Sequence, residues 1–182
     1  DFSKNALKIA KHMLDQRGFE NYLLIQGNVL NMPLKENSVD FIYGGGVMEH
    51  FKDSRSYLER LYNILRKDGI AFNTVPFLNI GSLTYRQLWG NIPNVPLIKS
   101  LFEFIHLRLL GGRHMKFGYE MSFLEGTLRK LHKEVGFKDV EVSRFEIVSV
   151  FESVPWFVRS VFIFLAGRFK VFWPMVKVTG KK

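Results

Sequence analysis

The spacing of apolar residues predicts two amphipathic helices in the first half of the chain. Ser3 can cap a helix over residues 3–17, whose apolar side chains recur at helical spacing, and Gly18 ends it. Asp53 can cap a second helix, which carries an apolar stripe on one side and ends at Gly69.

Short apolar runs between these helices predict buried strands. Residues 22–25 and 39–43 are of strand length and are bounded by Gly or Asn, and residues 70–75 form a third run that ends at Pro76. Strand, helix and strand joined by short connections are typical of a parallel sheet covered by helices. The fold class is therefore α/β.

Beyond Pro76 the pattern becomes irregular, and we interpret residues 77–117 as an insertion on the substrate side. It contains an apolar, basic helix over residues 97–110, closed by two glycines. Regularity returns over residues 122–125, where Ser-Phe-Leu-Glu forms a capping box that predicts a helix ending at Gly136.

The C-terminal part, residues 118–182, is interpreted as completing the same single domain. The longest strand is predicted over residues 139–148, and Pro155 is predicted to start a last helix. A closing strand over 171–178 contains Pro174, which favours an edge or bulged position because proline cannot donate to a ladder.

Charge is distributed unevenly along the chain. Residues 1–76 carry ten Lys/Arg against nine Asp/Glu, a net charge of +1, and residues 77–182 carry sixteen against eight, a net charge of +8. The second half is therefore biased towards anionic partners, which include a membrane surface, a nucleic acid or an acidic small molecule.

Composition excludes several classes of chemistry. The chain has no cysteine, so a disulfide scaffold, a thiolate nucleophile and a Cys-ligated metal are excluded, and we predict no metal site. This composition fits a cytoplasmic protein, with membrane association suggested by the basic half. The chain starts Asp-Phe-Ser-Lys, without the features of a signal peptide, and we expect it to be cut from a longer protein.

Four stretches together resemble the class I S-adenosylmethionine-dependent methyltransferases, in particular their small-molecule branch (type 11-like). The resemblance is close over residues 1–76 and loose over 117–178, and residues 38–51, Ser-Val-Asp-Phe-Ile-Tyr-Gly-Gly-Gly-Val-Met-Glu-His-Phe, carry it most strongly. The other three stretches are residues 1–7, 26–34 and 65–72. The resemblance implies a Rossmann-like fold, a mainly parallel sheet flanked by helices, and S-adenosyl-L-methionine as cofactor.

The resemblance also implies which residues hold the cofactor. Asp1 would accept hydrogen bonds from the ribose hydroxyls and Phe2 would pack on the adenine. Asn28 would meet the adenine amino group, with the Val29 backbone N–H on a ring nitrogen. Two residues, Gly44 and Gly45, would let the backbone approach the methionine part.

Each of these assignments has a plainer alternative. Asp1 can simply be an acid at a helix N-terminus, Asn28 can be a turn residue, and a glycine run alone is weak evidence. His50 is the candidate catalytic base, but a histidine there can instead brace the loop by hydrogen bonding. Weaker candidates lie between the insertion and the capping box: His114, Tyr119 and Glu120.

Methyl transfer is an in-line displacement at an activated carbon, so the protein mainly has to align the donor with the acceptor. No nucleophilic residue is required. An oxygen acceptor would need a base such as His50, whereas an amine or carbanion would need less help.

The family's glycine-rich first motif is not found in the sequence, and it would precede Asp1. The resemblance implies the strand order 3-2-1-4-5-7-6, so we expect a sheet that lacks strands one and two and a chain whose own activity is in doubt. We also expect the C-terminal ends of the strands near 22–26, 39–44 and 70–75 to lie on one side, with Asp1, Asn28 and Gly44 facing one groove.

Three functions follow from these observations. The first is methyl transfer to a small or lipid-like acceptor, such as a quinone. RNA methylation is disfavoured, because no RNA-binding module and no exposed run of aromatic and basic residues accompanies the basic half. The third is a methyltransferase-like binding domain without catalysis.

The basic half contains two apolar segments, residues 97–110 and 155–173, interrupted by Lys and Arg. Neither is a clean membrane span, because the first is too short and the second carries three charges. We favour the interpretation that both pack on the sheet with their charges in solvent. The alternative is contact with an anionic membrane or a lid over a long apolar substrate.

Overall fold

The computed structural model describes residues 1–79, 91–113, 115, 118–145, 151 and 155–182. Asp1–Lys35 and Glu36–Lys182 form two compact units, and each is described here by itself.

The first unit is built around helix α1, Lys4–Gln16, as its apolar spacing predicts. The Ser3 side chain accepts a hydrogen bond from the Ala6 N–H, and Gly18 follows the helix in the left-handed conformation, with φ of 73°. A single turn of 3-10 helix covers Val29–Asn31.

The strand predicted over residues 22–25 is not formed, which is a correction. Within the first unit, the backbone of this segment pairs with Asp1: the Asp1 nitrogen donates to the Ile25 carbonyl at 3.0 Å, and the Gly27 N–H donates to the Asp1 carbonyl at 2.9 Å. That is the pattern of one parallel bridge between Asp1 and Gln26. A strand needs a ladder of several such pairs, and one partner residue cannot supply it.

The second unit is organised on a four-stranded sheet in the order β1-β2-β6-β5. Its strands are β1 Val39–Gly45, β2 Leu65–Pro76, β5 Lys138–Arg144 and β6 Met175–Lys181. The β1 and β2 strands are parallel, and β6 runs antiparallel to both of its neighbours, so β1, β2 and β5 share one direction. This order matches the last four positions of the strand order that the resemblance implies, 4-5-7-6. The predicted α/β class and Rossmann-like arrangement are confirmed.

The remaining elements connect or cover these strands. They are α2 Ser54–Ile64, β3 Ile92–Pro93, α3 Pro96–Glu103 with its π-helical continuation Phe104–Leu109, β4 Met121–Ser122, α4 Glu125–Val135 and α5 Trp156–Arg168. The short strands β3 and β4 pair in parallel as a separate two-stranded sheet.

The core of the second unit lies between the sheet and the helices α2 and α4, which pack against each other. Apolar side chains from all three meet there fully buried: Leu58, Leu61, Ile64, Leu65, Ala71, Val75, Leu128, Val176 and Val178. Burial of each large apolar side chain contributes about 1.5–3 kcal/mol to the free energy of unfolding. This layer therefore stabilises the sheet whose β1 strand leads into the candidate site.

Helix α2 ends earlier than predicted. It stops at Ile64, and residues 65–69 already belong to β2, where Leu65 pairs with Val39. Asp68 adopts a left-handed conformation, with φ of 66°. A Cβ on Gly69 would approach the Arg66 carbonyl oxygen to 2.9 Å, so glycine is required here by close contact and not as a helix stop.

The capping-box prediction is wrong. Helix α4 begins at Glu125 with Leu124 at its N-cap, and no side chain caps it. Ser122 is instead fully buried in β4, where its hydroxyl is hydrogen-bonded to the Asn91 side-chain oxygen. The predicted end of this helix is confirmed by Gly136, which has φ of 116°.

The last strand also differs from its prediction. Strand β6 starts at Met175, one residue after Pro174, and it lies inside the sheet between β2 and β5 and not at an edge. Because Pro174 precedes the strand, it removes no donor from the ladder, and its carbonyl accepts from the Phe77 N–H at 3.2 Å. Of the strand predicted over 139–148, residues 146–148 lie outside the described residues.

Candidate functional site

The carboxyl end of β1 is a turn of three glycines. Gly44 and Gly45 pair with Asn73 and Thr74 of β2, and the Gly46 N–H donates to the Thr74 carbonyl at 3.2 Å and to its hydroxyl at 3.1 Å. Gly46 has φ of 67°, which favours glycine. In open α/β sheets, ligands bind at this end of parallel strands.

Gly44 is required at its position by its neighbours. It is buried, and a Cβ there would overlap the side-chain oxygen of Asn73 and the hydroxyl of Tyr57. Gly45 is exposed, and a Cβ on it would meet the Tyr43 ring, which belongs to a side chain that is 61% exposed. Gly44 thus serves close packing below the turn, while the Gly45 backbone faces outwards.

The support below the turn is a buried polar pair. The Tyr57 hydroxyl donates to the Asn73 side-chain oxygen at 3.0 Å, and both residues are almost completely buried. Burial, and then the charge of Glu49, raise the pKa of Tyr57 well above its usual range, so the phenol stays a donor. Sequence patterns missed this pair, because Tyr57 counted only as part of the apolar stripe of α2.

A turn of 3-10 helix, Met48–His50, follows the glycines. Met48 and Glu49 are buried, and His50 is exposed. Its Nδ1 lies 2.7 Å from the Tyr119 carbonyl oxygen, and a carbonyl can only accept, so Nδ1 is the donor in this bond. This is the bracing role that the sequence left open for His50, and Nε2 takes no part in the bond.

Helix α3 is linked to this part of the chain by one direct hydrogen bond and by a second one through Tyr119. The Lys99 ammonium group donates to the Lys52 carbonyl at 3.0 Å. The Tyr119 hydroxyl donates to the Glu103 carboxylate at 2.6 Å, and burial, then Glu103, raise the pKa of Tyr119. Because the Tyr119 carbonyl holds His50, the position of α3 is coupled to the His50 loop. Lys99 and Glu103 carried no sequence signal, since both are common surface types.

The other predicted cofactor residues lie in the first unit. One oxygen of the Asp1 carboxylate accepts from the Ser3 N–H at 2.6 Å, and Phe2 is 78% exposed. The Asn28 side-chain oxygen accepts from the Leu30 N–H at 2.9 Å, so Asn28 caps the turn that Val29 starts. Asn28 therefore has the turn role that the sequence left open. Its side-chain oxygen keeps a second lone pair that could accept a hydrogen bond from a ligand.

Within each unit the structure brings the predicted residues together. In the first unit, the backbone bridge joins Asp1 to Gln26, which lies two residues before Asn28. In the second unit, Gly44, Gly45 and His50 follow one another at the end of β1 and in the turn after it. The common groove of Asp1, Asn28 and Gly44 stays a prediction. Glu120 is buried, and His114 lies outside the described residues.

The described residues contain neither a candidate metal cluster nor a helix that could cross a membrane. No three His, Cys, Asp or Glu side chains among them are grouped as a metal ion would require. None of the helices described is both long enough and apolar enough to cross a membrane.

Comparison with known proteins gives a family match over the first part of the chain. Residues 1–73 match the family described as "Methyltransferase domain". The chain is 27% identical over 156 residues to a demethylmenaquinone methyltransferase of Geobacillus sp. (strain WCH70), an alignment that covers 80% of this chain and 61% of that protein. It is 30% identical over 133 residues to the demethylmenaquinone methyltransferase of Listeria welshimeri, with 71% of this chain and 50% of that protein covered. The chain thus spans about three-fifths of the length of the first of these relatives.

Solved structures agree on the fold. A SAM-dependent methyltransferase from Thermotoga maritima superposes with a TM-score of 0.60 at 17% identity, covering 100% of this chain and 71% of that one. A SAM dependent methyltransferase from Archaeoglobus fulgidus gives 0.58 at 15% identity, with 100% and 74% covered. The resemblance to class I S-adenosylmethionine-dependent methyltransferases is therefore confirmed, by the family match over residues 1–73 and by the fold of the chain.

Proposed function

We propose that this chain belongs to an enzyme that transfers a methyl group from S-adenosylmethionine to a quinone-like or lipid-like acceptor. The observation that carries the proposal is the glycine turn at the carboxyl end of β1. There the backbone of Gly45 is exposed at the ligand-binding end of a parallel strand pair, above the buried Tyr57–Asn73 support.

Each unit carries residues to which the resemblance assigns a contact with the cofactor. In the first, the Asp1 carboxylate keeps lone pairs beyond the one that the Ser3 N–H occupies, and these would accept from the ribose hydroxyls. The exposed Phe2 ring would cover the adenine, with Asn28 and Val29 at its polar edge. In the second, Gly44 and Gly45 would border the methionine part.

The bound cofactor supplies a methyl group already activated by its sulfonium, so the residues of the chain have to position the acceptor and manage its proton. His50 would perform the second task. The Tyr119 carbonyl accepts from its Nδ1 and orients the ring, and Nε2 would accept a proton from a hydroxyl of the acceptor.

The acceptor class is suggested by helix α3 and by the relatives. Leu97, Leu101 and Phe104 recur at helical spacing and are 89%, 56% and 52% exposed, so α3 offers an apolar face beside the loop that it holds through Lys99 and Glu103. The relatives compared above are named for methylation of demethylmenaquinone, an apolar quinone. An apolar acceptor bound against α3 would account for the exposed apolar face of this helix and for the similarity to these relatives.

The test is transfer of radiolabelled methyl from S-adenosylmethionine by the complete gene product. Demethylmenaquinone, bulk tRNA and buffer alone would be offered as acceptors, and label would be counted in the organic and the nucleic-acid fractions. We expect label in the quinone. Replacing Leu97 and Leu101 by Ser should raise the KM for the quinone, whereas the same change at the exposed Ile9 and Met13 of α1 should not. Label in tRNA alone would refute the acceptor class, and no label with any acceptor while the cofactor binds would favour a non-catalytic binding domain.

A further inference from the structure

Helix α5 presents an apolar face to solvent. Trp156, Phe157, Val161 and Phe164 recur at helical spacing, and they are 74%, 59%, 56% and 68% exposed. Of the thirteen residues of the helix, only Ala166 is buried. The interpretation favoured from the sequence, that this segment packs on the sheet, does not hold for these four side chains.

The C-terminal end of α5 is fastened to the rest of the second unit. The Arg144 guanidinium donates to the Gly167 carbonyl at 3.0 Å, and Lys170, just beyond the helix, forms an ion pair with Glu125 of α4. The Asn79 side chain donates to the Trp173 carbonyl at 2.5 Å. These contacts hold one end of the helix, so its apolar face is presented by an anchored element and not by a free tail.

The charge of the segment has one sign. Residues 155–173 contain Arg159, Arg168 and Lys170 and no Asp or Glu, and the chain from residue 77 onwards carries a net charge of +8. Lys170 is already paired with Glu125, so a partner that covers this face must accept large apolar side chains together with the positive charges of Arg159 and Arg168. An anionic lipid surface does so, because acyl chains receive the aromatic residues while the headgroups face the cations.

The length of α5 decides how it would meet a bilayer. Thirteen residues extend for roughly 20 Å, which is shorter than the roughly 30 Å of a hydrocarbon core. The helix would therefore lie in the plane of the interface. Trp156 at its N-terminal end suits that depth, since tryptophan favours the boundary between acyl chains and headgroups.

We propose that α5 is a membrane-docking helix that seats Trp156, Phe157, Val161 and Phe164 in the interface of an anionic bilayer. This surface shares no residue with the glycine turn, and the proposal holds whether or not the acceptor is a quinone. Docking would keep the enzyme at the surface in which apolar molecules are dissolved.

The first test is flotation of the complete gene product with two kinds of vesicle, one of phosphatidylcholine alone and one of equal parts phosphatidylcholine and phosphatidylglycerol. We expect recovery with the anionic vesicles that falls as salt is raised. Replacing Phe157 and Phe164 by Ser should weaken the apparent affinity at least about tenfold. The same change at Ile9 and Met13, two exposed apolar residues of α1, is the matched control and should leave it unchanged.

The second test uses one conservative variant, Trp156→Phe, which is expected to fold like the wild type. Brominated lipids in the anionic vesicles should quench the tryptophan fluorescence of the wild-type protein, and Trp156→Phe should remove most of that quenching while the protein still floats. Equal recovery in the unbound fraction with both vesicle types would overturn the proposal. So would a dimer in the absence of lipid that the Phe157 and Phe164 changes dissociate, because the face would then be covered by a second copy of the protein.

Discussion

Acid stability gives a quantitative test of how the core of the second unit is packed. His132 of α4 is fully buried against the Phe137 ring, and its Nδ1 donates to the Leu128 carbonyl at 2.8 Å. Its Nε2 has no hydrogen-bond partner among the described residues. Burial is the main cause that lowers the pKa of His132 from 6.5 to about 4, against a smaller opposing effect of the bond to Leu128.

The sign of the pH dependence follows from this depressed pKa. Above pH 6.5 the imidazole is neutral in both the folded and the unfolded protein, and there is no penalty. As the pH falls towards 4, His132 becomes protonated in the unfolded state but stays neutral in the folded state, so the unfolding free energy decreases. Since one pKa unit corresponds to about 1.4 kcal/mol, the drop from 6.5 to about 4 should cost about 3 kcal/mol of unfolding free energy.

The assay is urea unfolding at a series of pH values across this window, on the wild type, on His132→Gln and on the control His12→Gln, which changes an exposed histidine of α1. His132→Gln should have a flatter dependence of the unfolding free energy on pH, by about 3 kcal/mol over the window, whatever its stability at neutral pH. The control should follow the wild type. Parallel curves for His132→Gln and the wild type would refute the burial of a neutral His132.

Three further changes test the support of the glycine turn. Gly44→Ala should destabilise the protein by at least about 2 kcal/mol in a urea melt, because its Cβ overlaps Asn73 and Tyr57, whereas Gly126→Ala, which has open space around it, should be neutral or slightly stabilising. Tyr57→Phe removes a buried hydrogen bond to Asn73 and should cost about 1–2 kcal/mol in the same assay, and an unchanged midpoint would count against that bond. Asp53→Ala removes the side chain that accepts from two N–H groups at the start of α2 and should cost about 1 kcal/mol, measured as a lower melting temperature.

The elements with strong local signals were predictable from the sequence. Ser3 and Asp53 cap the helices that their positions predict, and Gly136 ends α4 in the left-handed conformation. Side-chain chemistry at a helix end acts within one turn, so the information is local. The glycine run after β1 was likewise visible, because close approach of the backbone leaves glycine as the residue that fits.

The errors occur where a distant part of the chain decided the outcome. Ser122 has the local pattern of a capping box, but pairing with Asn91 buries it in a strand. Pro174 suggested an edge position, but β6 begins one residue later and enters the sheet interior. Residues 22–25 have the composition of a strand without a ladder to join in their unit. Tertiary partners overrode the local preference at Ser122 and Pro174, and the lack of a partner strand did so at residues 22–25.

Only the part of the candidate site that is contiguous in sequence was predictable. Gly44, Gly45 and His50 follow one another along the chain, so one motif identified them together. Their supports, Asn73 and Tyr119, lie far away in sequence and reach the turn through the fold, and neither residue type indicates a function by itself. A single sequence cannot reveal such partners without the structure.

Cofactor binding at the glycine turn is the central claim, and calorimetric titration of S-adenosylmethionine into the complete gene product tests it most directly. The comparison is between the wild type and Gly45→Ala, in which the added Cβ meets the exposed Tyr43 side chain and would intrude on a ligand lying against the backbone. The account predicts binding by the wild type and an affinity at least about tenfold weaker for Gly45→Ala, with melting temperature in the absence of ligand unchanged. Equal affinity for both proteins, or no binding by the folded wild type, would contradict it.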